Sequence, residues 1–181
     1  MGERARSVEH SMAGQRHDFE LVHRLDPDAV GVPGQRRFRL VVQNNRETAF
    51  LWLEKEQLQA LGLAVDQLIT PVKAIWSREG ESTVAAKDGS FDGRASVEVR
   101  VGRLGLGYDE STRDYILVAH DVESDADDPP TFQCRCARAV ISHLSESIAS
   151  LTSAGRPRCP ICGSPLDGSP HFCPGSNGHS H

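Results

Sequence analysis

Three cysteines near the C-terminal end of the chain have the spacing of zinc ligands. Cys159 and Cys162 belong to a CPxCG sequence, in which two thiolates three residues apart point to the same side of a tight turn. The glycine after Cys162 lets the backbone curl so that its amides face the sulfur atoms. Cys173 follows after ten intervening residues and supplies a third thiolate. This combination predicts a zinc site at the end of the chain.

His179 is the expected fourth ligand, because the turn formed by residues 176–179 can aim its imidazole at the metal. His171 and His181 compete for the same position. Four sulfur and nitrogen ligands favour tetrahedral Zn²⁺, and a site filled by protein at all four positions has none open for catalysis. The zinc is therefore expected to be structural. Residues 155–181 are expected to order only around the metal, because so short a segment has almost no core.

Other reactive residue types along the chain favour structural roles. Cys134 and Cys136 have strand spacing, and no neighbouring group in the sequence would lower the pKa of either thiol. The glycines of VGRLGLGYD (101–109) depart from the GxGxxG spacing and precede no Lys-Ser/Thr pair, so they indicate a tight hairpin or a close backbone approach rather than a phosphate loop. The acidic segment 123–130 is expected to be a solvated connection. The sequence contains no recognisable catalytic constellation.

The composition is that of an ordinary folded protein. Charged residues make up 25% of the 181 residues and hydrophobic residues 38%. The net charge of -5 argues against broad binding to nucleic acid or anionic lipid, which favour a concentrated basic surface. Because no apolar run is long enough for a membrane helix or a secretory signal, we expect a cytoplasmic protein without disulfides.

The strands and helices that position these residues are predicted from the spacing of apolar residues, which differs between the two kinds of element. After a polar leader (1–17), alternating or apolar runs predict three strands, of which the second and third form a hairpin across Asn44-Asn45. The three runs are FELVHRL (19–25), RRFRLVVQ (36–43) and AFLWLE (49–54). A helical stripe over residues 54–69 predicts a helix that Pro71 ends.

The second half of the chain shows the same pattern of predicted elements after an irregular crossover at residues 70–94. Its three predicted strands are SVEVRVGRLGLGY (96–108), DYILVAHD (114–121) and TFQCRC (131–136), and a helix is predicted at residues 137–151. Each half is thus expected to be βββα. The fold prediction is an α+β body (18–154) with an antiparallel sheet and two packed helices, followed by a zinc knuckle (155–181).

Four segments together resemble one protein family. They are GVPGQRRFRL (31–40), LEKEQ (53–57), VRVGRLGLGYD (99–109), and GRPRCPICGSPLD with CPGSNGH (155–179). In this order, and over nearly all of the chain after residue 17, they are similar to the uncharacterised DUF3090 family of actinobacteria and related phyla. Its members have no established reaction. They tend to be encoded beside a histidine-phosphatase-like and a kinase-like protein, which implies a context of phosphorylated small molecules.

The resemblance carries over to several individual residues. In the tail these are the predicted zinc ligands Cys159, Cys162, Cys173 and His179, together with His171. In the body the matching residues are Gly34, Gln35, Arg36, Glu54, Lys55, Gln57, Gly105, Gly107, Tyr108 and Asp109. The polar residues in this set are more than packing of the fold requires. They imply a ligand-binding surface built from Arg36, Glu54, Lys55, Tyr108 and Asp109.

Two functions follow as alternatives. The absence of a catalytic constellation favours a cytoplasmic binding or adaptor protein, in which the zinc knuckle stiffens a loop that docks a protein partner. The alternative is an enzyme or regulatory subunit that acts on a phosphorylated small molecule or nucleotide, with Arg36 and Lys55 as anion contacts. A pocket that holds these two residues with Glu54 and Asp109 would favour the alternative.

Nucleic-acid binding through the tail is a third and weaker function. The tail carries only Arg156 and Arg158 as basic residues, against Asp167, so its surface would attract phosphate backbones weakly.

Overall fold

The computed structural model describes residues 15–32, 35–76, 93–153 and Ile161. Within these ranges the chain forms seven strands and two helices. They are β1 (His17–Val22), β2 (Arg24–Val30), β3 (Arg37–Gln43), β4 (Thr48–Leu53), α1 (Lys55–Trp76), β5 (Val97–Asp109), β6 (Asp114–Asp121), β7 (Phe132–Cys136) and α2 (Arg138–Ser153). The predicted leader before residue 15, residues 77–92 of the predicted crossover (70–94) and the zinc tail apart from Ile161 lie outside the described residues.

The seven strands form one sheet in the order β1-β7-β6-β5-β4-β3-β2. Only His23 separates β1 from β2 along the chain, yet these strands lie at opposite ends of the order. The sheet must therefore curve until its two edges meet at His23. Two hydrogen bonds fix this corner to the end of β3, from the His23 amide to the Gln43 carbonyl (3.0 Å) and from Asn44 Nδ2 to the Phe19 carbonyl (3.2 Å).

The sheet is mixed, so the predicted antiparallel sheet is wrong in two of its strand pairs. β4 pairs with β5 in parallel, and β1 pairs with β7 in parallel. The first of these pairs is joined through α1, and a chain that returns through a helix re-enters the sheet in the same direction. The predicted single strand at 19–25 is also divided, since His23 separates β1 from β2. The hairpin across Asn44-Asn45 is confirmed by the antiparallel pairing of β3 with β4.

Two long stretches of strand hold the sheet together, because each pairs with one neighbouring strand along its first part and with another along its second part. In β5, residues 97–100 pair in parallel with β4, and residues 101–109 pair antiparallel with β6 across a register shift near Gly102. The β1–β2 stretch does the same, because its first part pairs in parallel with β7 and its second part antiparallel with β3. The β2–β3–β4 and β5–β6–β7 groups are each antiparallel and are each followed by a helix.

The two helices pack side by side and in opposite directions. Gly62 of α1 lies against Ile148 of α2, and the Ser145 hydroxyl donates a hydrogen bond to Asp66 one turn further along α1. The predicted end of α1 at Pro71 is wrong, since the helix continues to Trp76. Proline lacks one amide donor and bends a helix, but a 22-residue helix has enough other hydrogen bonds to continue.

One hydrophobic core fills the space between the curved sheet and the helices. The strands contribute inward residues at every second position, as the predicted alternation of Val97, Val99 and Val101 requires. The helices contribute the apolar stripes that their period predicted. The helical core residues are Leu58, Leu61, Val65, Val140, Ile141, Leu144 and Ile148. Nothing among the described helices is long and apolar enough to cross a membrane.

Candidate functional site

A cavity of about 430 Å³ opens where α1 begins. It lies between the start of β3, the end of β4 and the middle of β5, because the parallel pairing of β4 with β5 brings these three points together. Its walls are formed by Arg36, Arg37, Phe38, Trp52, Leu53, Glu54, Gln57, Arg100, Val101, Gly102 and Val122. We call this cavity the arginine pocket.

Gln57 fixes the first turn of α1 at the edge of the arginine pocket. Its Oε1 accepts a hydrogen bond from the Glu54 amide at 2.9 Å, the reciprocal half of a capping box. Its Nε2 donates to the carbonyls of Val101 (3.1 Å) and Gly102 (3.2 Å) on β5. The first intrahelical bond runs from the Leu58 amide to the Glu54 carbonyl. The positive end of the helix dipole therefore lies at the pocket and favours a negatively charged group there.

Three guanidinium groups line the same pocket. Arg37 stacks over the Trp52 ring at 4.2 Å, and the Trp52 indole donates to Glu98 at 2.8 Å. Arg100 pairs with Glu123 at 2.5 Å on the open surface, with both side chains more than half exposed. The guanidinium of Arg36 has neither an ion pair nor a hydrogen bond within the described part of the chain.

The charge of the pocket is opposite in sign to that of the whole chain. Three arginines and a single glutamate line it, whereas the full sequence carries a net charge of -5. Arginine pairs with phosphate and carboxylate through two parallel hydrogen bonds, and phosphate groups also bind at helix N-termini. The arrangement is therefore suited to an anionic ligand with several acceptor oxygens.

A second cavity of about 270 Å³ continues from the arginine pocket along α1. It lies between α1 and the second half of β5, and it shares Gln57 and Gly102 with the first cavity. Its lining residues are Gln57, Ala60, Leu61, Ala64, Gly102, Leu104, Gly105 and Leu106. We call it the apolar groove, since Gln57 is its only polar side chain among the described residues.

The structure divides the five predicted ligand-binding residues into two groups. Arg36 and Glu54 line the arginine pocket, and Lys55 follows Glu54 as the exposed first residue of α1. Tyr108 and Asp109 lie at the far end of β5. Tyr108 lies six residues beyond Gly102 along the strand, which corresponds to roughly 20 Å.

Tyr108 and Asp109 build the β5–β6 hairpin. The Tyr108 ring packs against Tyr115 with the ring centres 5.0 Å apart. Asp109 Oδ1 accepts hydrogen bonds from the amide (2.8 Å) and hydroxyl (2.6 Å) of Ser111. These hydrogen bonds lower the pKa of the exposed Asp109 carboxyl. Both side chains thus have local structural partners away from the arginine pocket.

Three pocket residues were missed by reasoning from the sequence. Arg37 and Trp52 are outward-facing residues of strands, which look like solvated positions in an alternating pattern. Arg100 reaches the pocket only because β5 pairs in parallel with β4, placing Arg100 beside Trp52. A signal for Arg37 and Trp52 exists in the hairpin register, which sets cationic and aromatic residues beside one another on one face. No comparable local signal points to Arg100.

Two further groups of reactive side chains lie in the described part of the chain, and neither has a catalytic geometry. Cys134 and Cys136 are free and buried, as expected, and burial raises the pKa of the Cys136 thiol to about 12 and that of Cys134 well above its usual value. His143 contacts Asp26 (3.5 Å) and Ser147 (3.2 Å) through the same nitrogen, Nε2. A Ser-His-Asp triad uses the two ring nitrogens separately, so this cluster is not one.

The predicted zinc ligands Cys159, Cys162, Cys173 and His179, with the alternative His171, lie outside the described residues. In the ranges that the structure does describe, no group of three His, Cys, Asp or Glu side chains could hold a metal ion. The zinc site therefore stays a prediction from the sequence.

Comparison with known proteins gives one match. A family model described as "Protein of unknown function (DUF3090)" matches residues 17–173. Neither a curated protein nor a solved structure matches the chain.

Proposed function

The chain belongs to the DUF3090 family, and from this premise we propose that it is a binding protein for a phosphorylated small molecule. The phosphate group would lie in the arginine pocket, against Arg36, Arg37 and Arg100 and the first turn of α1. The single observation that carries the proposal is the collection of three guanidinium groups around one cavity at a helix N-terminus.

The size of the pocket supports a small ligand. At about 430 Å³ it falls within the range of cavities that receive small molecules and cofactors. The guanidinium of Arg36 supports an anion in particular, because it has no ion pair with any of the described residues that a phosphate would first have to break. The indole of Trp52 and the ring of Phe38 supply apolar surface beside these charges.

The lining of the pocket favours binding over catalysis. Among the described residues, its walls hold one carboxylate, that of Glu54, and no histidine, cysteine, serine or threonine. Phosphoryl transfer to the protein needs a nucleophile, and hydrolysis needs a base that positions water. The predicted grouping of Glu54 and Asp109 with Arg36 and Lys55 in one pocket also finds no support, since Asp109 lies at the other end of β5.

Isothermal titration calorimetry with methyl phosphate and inorganic phosphate tests the proposal. We expect saturable one-site binding that Arg36→Gln weakens at least tenfold. Arg46→Gln is the matched control, because Arg46 is an exposed arginine in the β3–β4 turn outside the pocket. The proposal is wrong if neither probe binds, or if both variants weaken binding equally.

We further propose that Cys159, Cys162, Cys173 and His179 hold a structural zinc ion, with His171 as the alternative fourth ligand. The spacing of these residues supports the site. Zinc measured by elemental analysis should reach one ion per chain, and His179→Ala should lower zinc affinity while His171→Ala leaves it unchanged. The opposite pattern would assign the fourth ligand to His171. Docking of a protein partner by this tail, and a cytoplasmic location, stay predictions.

Two βββα halves related by a pseudo-twofold axis are also a proposal. It is supported by the matching partner change in β5 and in the β1–β2 stretch. Gly62 and Ser145 support it too, since each is the eighth residue of its helix and each contacts the other helix. The arginine pocket would then lie where the two halves meet, because β4 and α1 belong to the first half and β5 to the second.

A further inference from the structure

We infer that the ligand is an amphiphilic phosphate, whose phosphate lies in the arginine pocket and whose uncharged aliphatic chain lies in the apolar groove. This inference rests on the proposed function, because the groove is assigned to the same ligand as the pocket. The observation behind it is that the two cavities share Gln57 and Gly102 and therefore adjoin each other.

The arginine pocket and the apolar groove differ sharply in chemistry. The pocket carries Arg36, Arg37 and Arg100, whereas none of the described residues that line the groove is charged. A ligand that is charged at both ends would leave one charge in the groove without a partner, which is costly. A ligand with one anionic end and one apolar end matches both parts.

The walls of the groove combine short side chains on α1 with half-buried leucines on β5. Ala60 and Ala64 lie one helical turn apart on α1, and their short side chains face Leu104 and Leu106, which are only half buried. Gly105 contributes only backbone to the groove, since glycine has no side chain. The groove thus offers methyl and methylene surface that a bound chain would remove from water.

Gln57 lies between the two cavities, and a bound chain would have to pass over its side chain. Its amide oxygen accepts from the Glu54 amide, and its amide nitrogen donates to two carbonyls of β5. Because these polar atoms already have partners, an apolar chain can pass Gln57 without leaving a hydrogen-bonding group unsatisfied.

A chain-length series tests the inference by calorimetry on the full chain. The probes are methyl, butyl, hexyl and octyl phosphate, each below its aggregation concentration. Burial of each added methylene contributes about 0.8 kcal/mol, so affinity should rise up to about fourfold per carbon until the groove is filled. A flat series would overturn the inference, and if Arg36→Gln still weakened every probe the proposed function would stand. Failure of all probes to bind would instead remove the proposed function.

Ala60→Trp fills the groove and should reduce octyl phosphate to the affinity of methyl phosphate, with methyl phosphate itself unchanged. Gln59→Trp is the matched control, since Gln59 is the exposed neighbour outside the groove. Ala60→Glu is the second variant, and it should disfavour the longer chains by placing a carboxylate beside them. A chain-length dependence that persists in both Ala60 variants would show that the chain binds elsewhere and would overturn the inference.

Discussion

Gln57 and Val101 join the start of α1 to the middle of β5, through a hydrogen bond of 3.1 Å from the glutamine amide to the valine carbonyl. The same amide group donates to Gly102 and accepts from the Glu54 backbone. One side chain therefore fixes both the helix cap and the strand that together frame the arginine pocket. The relative position of α1 and β5 should depend on it.

Gln57→Leu should lower the free energy of unfolding by about 1–3 kcal/mol, because it removes three hydrogen bonds and leaves two partly buried carbonyls without their donor. Urea denaturation measures this change. Gln59→Leu, on an exposed position of the same helix, should stay within about 0.5 kcal/mol of the parent protein. Equal stability of the two variants would contradict the role assigned to Gln57.

Glu123→Gln should strengthen binding of methyl phosphate. Glu123 neutralises Arg100 through an exposed ion pair, so its removal leaves Arg100 available to the ligand. A gain of roughly two- to fivefold is expected, which corresponds to about 0.5–1 kcal/mol. Arg100→Gln should act in the opposite direction, and neither change should alter stability by more than about 0.5 kcal/mol. Unchanged affinity in both variants would remove Arg100 from the binding site.

Gly62→Ala should destabilise the packing of α1 on α2. A Cβ at Gly62 would come 2.9 Å from Ile148 Cγ2, a branch close to the backbone of α2 that cannot swing away freely. The expected net cost is about 1–2 kcal/mol, because overpacking outweighs the better helix propensity of alanine. In the Ile148→Ala background the same change should be neutral or favourable. A double-mutant cycle by urea denaturation measures this coupling, and additive effects would contradict the contact.

Tyr115→Phe should raise the free energy of unfolding by about 1 kcal/mol. The Tyr115 hydroxyl is buried and has no hydrogen-bond partner among the described residues, and burial raises the pKa of this phenol. Removing an unsatisfied polar atom removes its desolvation cost. Tyr108→Phe, on the neighbouring ring, serves as the control and should change stability less. A loss of stability in Tyr115→Phe would reveal a partner for the hydroxyl in the part of the chain that the structure leaves undescribed.

The five cysteines should divide into two reactivity classes once the protein has been treated with a chelator. Cys159, Cys162 and Cys173 should react rapidly with a thiol reagent at pH 8. Cys134 and Cys136 should react only on unfolding, because burial raises the pKa of both thiols. Rapid reaction of all five in the native protein would contradict the burial of this pair.

The raised pKa of the Cys136 thiol makes the free energy of unfolding depend on pH. The Cys136 thiol has a higher pKa in the folded than in the unfolded chain, so the unfolded state loses this proton first as the pH rises. Its contribution is complete below about pH 9 and should decrease between about pH 9 and 12, by up to about 1.4 kcal/mol per pH unit. The stability difference between the parent protein and Cys136→Ala should therefore shrink over this range.

Local periodicity in the sequence predicted most of the elements correctly. The alternation around Val97, Val99 and Val101 and the apolar stripes of both helices are local properties, because burial of one face imposes a fixed spacing on the residues that form it. The division of the first strand at His23 and the continuation of α1 past Pro71 were not predicted. Both depend on tertiary packing, which outweighs the local preference of single residues.

The sequence by itself determined the elements, the spacing that predicts the zinc tail, and the resemblance to the DUF3090 family. Only the tertiary structure decided which polar residues share a site. Arg36 and Arg100 are far apart in the chain, and both line the arginine pocket because β5, which follows α1, pairs in parallel with β4. Asp109 lies at the other end of β5, away from this pocket. Strand pairing over long sequence separations is set by the closure of the whole sheet, so no local pattern records it.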